Sequence, residues 1–140
     1  LLKYFVMKKE QLVKMAKEAM EYSYSPYSGY RVGAALLCAD GSIYTGCNIE
    51  NASYGITNCA ERSAIFSAVS LGFNTLDIIE IVIIADTLLP VSPCGACREV
   101  MRELLDENTT VTLLNMNNDV KTLKVKDLLP YAFDEGDLNE

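Results

Sequence analysis

Three cysteines and one glutamate hold most of the chemistry open to this chain. Cys94 and Cys97 stand three apart in "SPCGACREV", where a helix is expected to begin, so their thiols point the same way and can share one metal ion. Pro93 and Gly95 suit a tight entry into that helix, and the partial positive charge of a helix N-terminus favours thiolate over thiol. A C-x-x-C pair alone is ambiguous between zinc and dithiol redox chemistry. Cys59, in "ITNCAERSAIF", tips the balance, because it too falls at an expected helix start, two residues ahead of Glu61. Two such helices docked side by side would gather three thiolates. Zinc with three protein ligands and an open fourth position describes a catalytic site, not a closed structural one. Residues two apart do not share a helix face, so Glu61 is a poor fourth ligand but can collect a proton from water on the metal. The chain has no histidine. That removes the usual general base and the commonest zinc ligand together, and leaves the glutamate as the obvious base.

The remaining composition limits what such a site acts on. Twelve Lys and Arg face 19 Asp and Glu, a formal net charge of −7. Phosphate backbones need clustered Lys and Arg, so no nucleic-acid partner is expected, while small neutral ligands and protein partners stay open. The 140 residues, half of them hydrophobic, fit one domain with a real core. The longest apolar run, "LDIIEIVIIADTLL", is interrupted by Asp77, Glu80 and Asp86, so no membrane span is expected. "LLKYFV" is too short for a signal core. The five cysteines are accordingly expected to be reduced thiols of a cytoplasmic protein. Met7 reads as a natural start, which makes residues 7–140 a single catalytic domain and 1–6 an extension set aside from the fold.

The elements that must position these groups follow from periodicity and turn residues. "KKEQLVKMAKEAMEYS" places Leu12, Met15, Ala16, Ala19 and Met20 at helical spacing, with the methionines as core. Pro26 and Gly29 mark a loop, and "VGAALLC" and "SIYTGCNI" read as a hairpin joined by an Asp-Gly turn. A helix is expected from about Cys59 to Leu71 and a buried strand over "IIEIVIIA". A second helix is read over "CREVMRELLDE", then strands over "TTVTLLNM" and "VKTLKV", and a short terminal helix and tail over "VKDLLPYAF". Cys38 and Cys47 read as packed strand residues. Strands alternating with helices imply an α/β layer fold.

"CAER" followed by "PCGACR", with "GCNIENASYG" in support, resembles the zinc-dependent cytidine deaminases, of the small three-cysteine, homotetrameric type, over nearly the whole chain after Met7. Cys59 stands where other members carry histidine. The resemblance implies a three-layer α/β/α sandwich about a central mixed sheet of about five strands. It implies one Zn2+ per subunit on Cys59, Cys94 and Cys97, with water as fourth ligand. The implied reaction is hydrolytic deamination of cytidine and 2′-deoxycytidine to uridine and 2′-deoxyuridine plus ammonia, in pyrimidine salvage. Glu61 deprotonates the water, which attacks carbon 4 of the cytosine ring, and then protonates ring nitrogen 3 and the departing amine. Arg62 would offset the excess charge of three thiolates on one dication.

Substrate-binding positions carried over by the resemblance are Asn48 and Glu50 for the ribose, Tyr30 near the base, where the family often has phenylalanine, and Ala60. Tyr54 and Phe133 match aromatics that cross into a neighbouring subunit's site, so active sites would be shared in a homotetramer. Glu50 also favours nucleosides, since a carboxylate near the sugar repels a phosphate. Three alternatives remain. One is deamination of another aminopyrimidine nucleoside, of the blasticidin type. Another is a non-catalytic zinc-stabilised binding module, its metal site closed by Cys38 or Cys47. The last is a dithiol redox protein with a reversible Cys94–Cys97 disulfide.

Overall fold

Alternating apolar residues on three strands sort onto two faces of one sheet. The computed structural model describes residues 2–139, apart from the side chain of Phe5. Its strands are β1 (Val32–Cys38), β2 (Ile43–Cys47), β3 (Ile78–Ala85), β4 (Thr110–Asn115) and β5 (Val120–Lys124), and its helices α1 (Leu2–Met20), α2 (Ala60–Ser70) and α3 (Gly95–Leu104). The sheet runs β2-β1-β3-β4-β5. β3 and β4 are parallel and joined through α3, while the other neighbours are antiparallel. A mixed sheet results, because a parallel pair needs a crossover element whereas the hairpins do not.

Successive side chains on a strand point to opposite faces, and the two cores divide accordingly. Ala34 and Leu36 of β1, Ile81 and Ile83 of β3, and Val111 and Leu113 of β4 pack with Ala64, Ile65 and Ala68 of α2 and with Cys97 and Met101 of α3. Ala35, Leu37, Val82, Ile84 and Leu114 face the other way, against Leu12, Ala16 and Met20 of α1. The three-layer sandwich with a five-stranded mixed sheet follows, and Met20 is core as expected. No helix among the described residues is long and apolar enough to cross a membrane.

Two glycines set how closely the helices sit on the sheet. A Cβ on Gly33 would meet the carbonyl oxygen of Ala16 at 2.1 Å, and one on Gly46 would meet the amide of Ala64 at 2.4 Å and the carbonyl oxygen of Ala60 at 2.7 Å. Gly46 therefore allows the first turn of α2 to rest directly on β2. The hairpin between β1 and β2 turns at Gly41 (φ 88°), where the Asp40 carboxylate accepts the Ser42 amide at 2.9 Å.

Several boundaries differ from the sequence reading. α1 reaches back to Leu2, so residues 2–6 continue the helix they were set apart from; Leu1 lies outside the described residues. α3 starts at Gly95 and ends at Leu104, short of Glu107, because Leu105 turns extended (φ −101°, ψ 159°) to bury its side chain in the core. No α-helix forms over 125–133. A 3-10 turn, Val125–Asp127, is followed by Pro130, which lacks an amide hydrogen and disfavours helical backbone before it.

Gly46→Ala is expected to destabilise the fold by at least about 1–3 kcal/mol, the usual cost of overpacking, and to weaken metal binding by displacing the start of α2. Urea unfolding and zinc content of the purified variant check both effects.

Candidate active site

The two cysteine-bearing segments begin their helices in the same manner. Cys59 is the N-cap of α2 (φ −81°, ψ 157°) and Cys94 the N-cap of α3 (φ −68°, ψ 164°), both extended and neither using its side chain to cap. Serine or aspartate at such a position would turn its oxygen onto the helix's free amides. Here the sulfurs stay free to face one another. Cys97, buried in the first turn of α3, supplies the third. Cys59 Sγ lies 3.7 Å from Cys94 Sγ, and Cys94 Sγ lies 3.5 Å from Cys97 Sγ. All three fall within 4.8 Å of one another.

That triangle fits zinc. Metal–sulfur bonds of about 2.3 Å in tetrahedral geometry separate sulfurs by about 3.8 Å. Soft thiolates at two helix N-termini suit the ion chemically as well. Cys38 lies buried in β1 and Cys47 half-buried in β2, outside the group, so neither closes the site with a fourth thiolate.

Charge around the triangle is arranged for ionised sulfur. The Arg62 Nη2 donates to Cys59 Sγ at 3.3 Å, so the residue expected to balance charge does touch a ligand. Without metal, the Cys59 thiol is pushed down to about 5, chiefly by hydrogen bonding from Cys97, with Arg62 and Cys94 also outweighing its burial. Cys97 is pushed up, because it shares that bond with the Cys59 thiolate, is buried, and lies beside Glu61. Glu61, only 3% exposed, has its carboxyl raised first by burial and further by Cys59, against the lowering bond with Cys97. A carboxyl held above its usual range, at hydrogen-bond reach of a ligand thiol, has the character of a proton shuttle.

A pocket of about 210 Å3 opens over the cluster. Tyr30, Asn48, Glu50, Ala60 and Glu61 line it with Cys59 and Cys94, so every substrate-binding position drawn from the resemblance meets the metal site there. Tyr54 and Phe133 do not line it. Tyr54 is 62% exposed and packs edge-on against Tyr27 (6.0 Å between centroids), whereas Phe133 is 64% exposed. Phe133 borders a larger depression of about 830 Å3 against the C-terminal segment, which contains no comparable cluster of thiols.

Asn48 and Glu50 are held by backbone groups that no motif announces. Asn48 Oδ1 accepts the buried Val32 amide at 2.9 Å and the Ser23 hydroxyl, while its Nδ2 donates to the Tyr30 carbonyl at 2.7 Å. The Glu50 carboxylate accepts the Tyr27 and Ser28 amides at 3.0 and 3.1 Å and the Ser28 hydroxyl. Those bonds, the serine hydroxyl first, hold its carboxyl below the usual carboxylate range. Ser23 and Ser28 escaped the sequence reading. A serine hydroxyl in a polar loop has no periodic signature, and its partner lies more than twenty residues away.

Fold and site together define a metalloenzyme of the α/β class, with a thiolate metal centre between two helix N-termini and a buried carboxyl, Glu61, beside it. Residues 6–113 match the family described as the cytidine and deoxycytidylate deaminase zinc-binding region. The chain belongs to that family. It is 52% identical to a cytidine deaminase of Halalkalibacterium halodurans, over 96% of this chain and all of the relative. It is 50% identical to one of Sporosarcina psychrophila, over 93% and 94% of the two chains. Among solved structures, the cytidine deaminase of Burkholderia pseudomallei superposes with a TM-score of 0.86 at 48% identity, covering 89% of this chain and 98% of its own. That of Mycobacterium tuberculosis gives 0.75 at 34% identity, covering 89% and 96%.

The depressed Glu50 carboxyl fixes a pH signature. A carboxyl whose folded pKa lies below its unfolded value adds stability that is present above the unfolded value and is lost as pH falls through the folded one. The stability difference between wild type and Glu50→Gln is expected to be full above about pH 5 and to close in more acid solution. Urea unfolding at a series of pH values measures it.

Proposed function

We propose that the chain catalyses zinc-dependent hydrolytic deamination of cytidine and 2′-deoxycytidine, yielding uridine or 2′-deoxyuridine and ammonia. The observation that carries this reading is a buried glutamate beside three converging thiols, at one end of a pocket whose other lining groups are Asn48 and Glu50. The family and the relatives named cytidine deaminase support it.

Cys59, Cys94 and Cys97 would hold the zinc. When bound, the ion supplies a Lewis acid that makes water a nucleophile at neutral pH. The side chains then divide the remaining work. Asn48 and Glu50 bind the sugar hydroxyls. Both are fixed in advance by their bonds to residues 23–32, so little side-chain freedom is lost when substrate arrives. Glu50 is held ionised, which favours an uncharged sugar over a phosphorylated one. Ala60 and Tyr30 lie against the base. Glu61 takes a proton from water as its oxygen joins carbon 4, passes it to ring nitrogen 3, and carries the second proton to the amine as the carbon–nitrogen bond breaks. Burial raises its pKa toward that of the groups it exchanges with, the condition for efficient transfer in both directions.

The proposal extends to a homotetramer with shared sites, formed by one domain over residues 7–140 in the reducing cytoplasm. The pocket is small beside the about 300–1,000 Å3 common for ligand sites, and exposed aromatics stand near it. Tyr54 and Phe133 of neighbouring copies would complete it. The exposed Phe66 and Val69 on α2 offer further apolar surface for assembly.

Glu61→Gln is expected to keep zinc at wild-type content while turnover falls by at least about 10²-fold, the usual weight of a general acid–base group. Absorbance loss from cytidine and 2′-deoxycytidine, with metal analysis, tests it; near-wild-type turnover would refute the role. Phe133→Ala is expected to raise KM while sedimentation still shows the oligomer, and an active monomer would refute shared sites.

A further inference from the structure

Of the three thiols, Cys94 is the one least held by secondary structure. Cys97 lies buried inside α3 and Cys59 is half-buried, whereas Cys94 is exposed, extended and free of any capping bond. It ends the long loop from β3, residues 86–94, which contains Pro90 and Pro93. The ties nearest to Cys94 run to a single side chain. Arg98 Nε donates to the Pro93 carbonyl at 2.8 Å, Nη2 to the Ser92 hydroxyl at 2.8 Å, and Nη1 to the Leu128 carbonyl at 2.9 Å. The Arg98 amide also donates to the Cys94 carbonyl at 3.0 Å. Leu128 is 2% exposed and part of the main core, so this fork is anchored in rigid structure. A cation in the first turn opposes the helix dipole, so the helix itself does not account for an arginine here. Its planar set of donors does, since it spans three acceptors that no other side chain reaches together.

We propose that Arg98 is a positioning residue of the metal centre. By clamping Ser92 and Pro93 to the core-anchored turn at Leu128, it holds Cys94 in register with Cys59 and Cys97 and sets the rate at which zinc is lost through that one exposed ligand. The inference rests on the zinc-dependent reading above.

Zinc release from the loaded protein into a chromophoric chelator tests it, with global unfolding followed in parallel by circular dichroism. Arg98→Ala is expected to release zinc about 10- to 100-fold faster than wild type, the usual effect of losing a partner behind a ligand, and faster than it unfolds. Arg98→Lys should fall between the two, because an ammonium cannot span the three acceptors. Ser92→Ala, at an exposed position where folding is not at stake, should accelerate release to a lesser degree. Arg102→Ala, whose partners are Glu99, Glu103 and Glu135, should match wild type. In cobalt(II)-loaded Arg98→Ala, the ligand-field absorption bands should shift. Wild-type release rates in both Arg98→Ala and Ser92→Ala overturn the proposal, as does release that merely keeps pace with unfolding. A wild-type chain unable to hold zinc would overturn the deaminase reading first.

Discussion

Bringing three sulfurs to within 4.8 Å of one another is the constraint around which this molecule is organised. Two come from α3 and its N-cap, but the third lies 35 residues earlier, at the N-cap of α2. Local structure cannot bring those segments together. They meet because α2 and α3 bury apolar faces against the same side of the sheet, and because Gly46 lets α2 settle on β2 without an intervening side chain. Sheet order contributes too. The parallel β3–β4 pair obliges the chain to cross over through α3, which delivers its N-terminus to the end of the sheet where α2 begins.

Convergence has an electrostatic cost that the surroundings offset. Three thiolates on a dication carry a charge of about −1 in a partly desolvated site. Two helix N-termini and the Arg62 guanidinium oppose that charge, and the contact from Arg62 to Cys59 is direct. The Glu61 carboxyl beside them is pushed up first by burial and further by Cys59. A site without histidine thus meets the two needs that imidazole serves elsewhere. Sulfur supplies the metal ligands, and in the proposed reaction a carboxyl raised by burial carries the proton.

The side of the pocket lined by Asn48 and Glu50 is built on a different plan. Asn48 and Glu50 project from the segment after β2, and their orientation is set by the loop of residues 23–32 through main-chain amides and two serine hydroxyls. An amide side chain with both ends engaged and a carboxylate with three donors are held in one arrangement. The hairpin, the loop and the first turn of α2 consequently behave as one wall of the pocket.

Much of this was legible in the amino-acid order alone. Continuous apolar and β-branched runs marked β1, β3 and β4, and apolar spacing at the helical period marked α1, since those patterns record which residues enter the core. C-x-x-C at a helix start, a third cysteine before "AER", and the lack of histidine pointed to a thiolate metal centre on Cys59, Cys94 and Cys97, because coordination chemistry admits few residue types and spacings. Helix limits were less legible. The end of α3 depends on Leu105 finding a place in the core, and the fate of 125–133 on Pro130, so tertiary packing and one missing amide decided them. Most hidden were the contacts that aim the site: Ser28 on Glu50, Ser23 on Asn48, and Arg98 on the loop before Cys94. Their partners are largely backbone groups, which every residue carries, so no pattern of side chains reveals them until the folded chain brings them within hydrogen-bond distance.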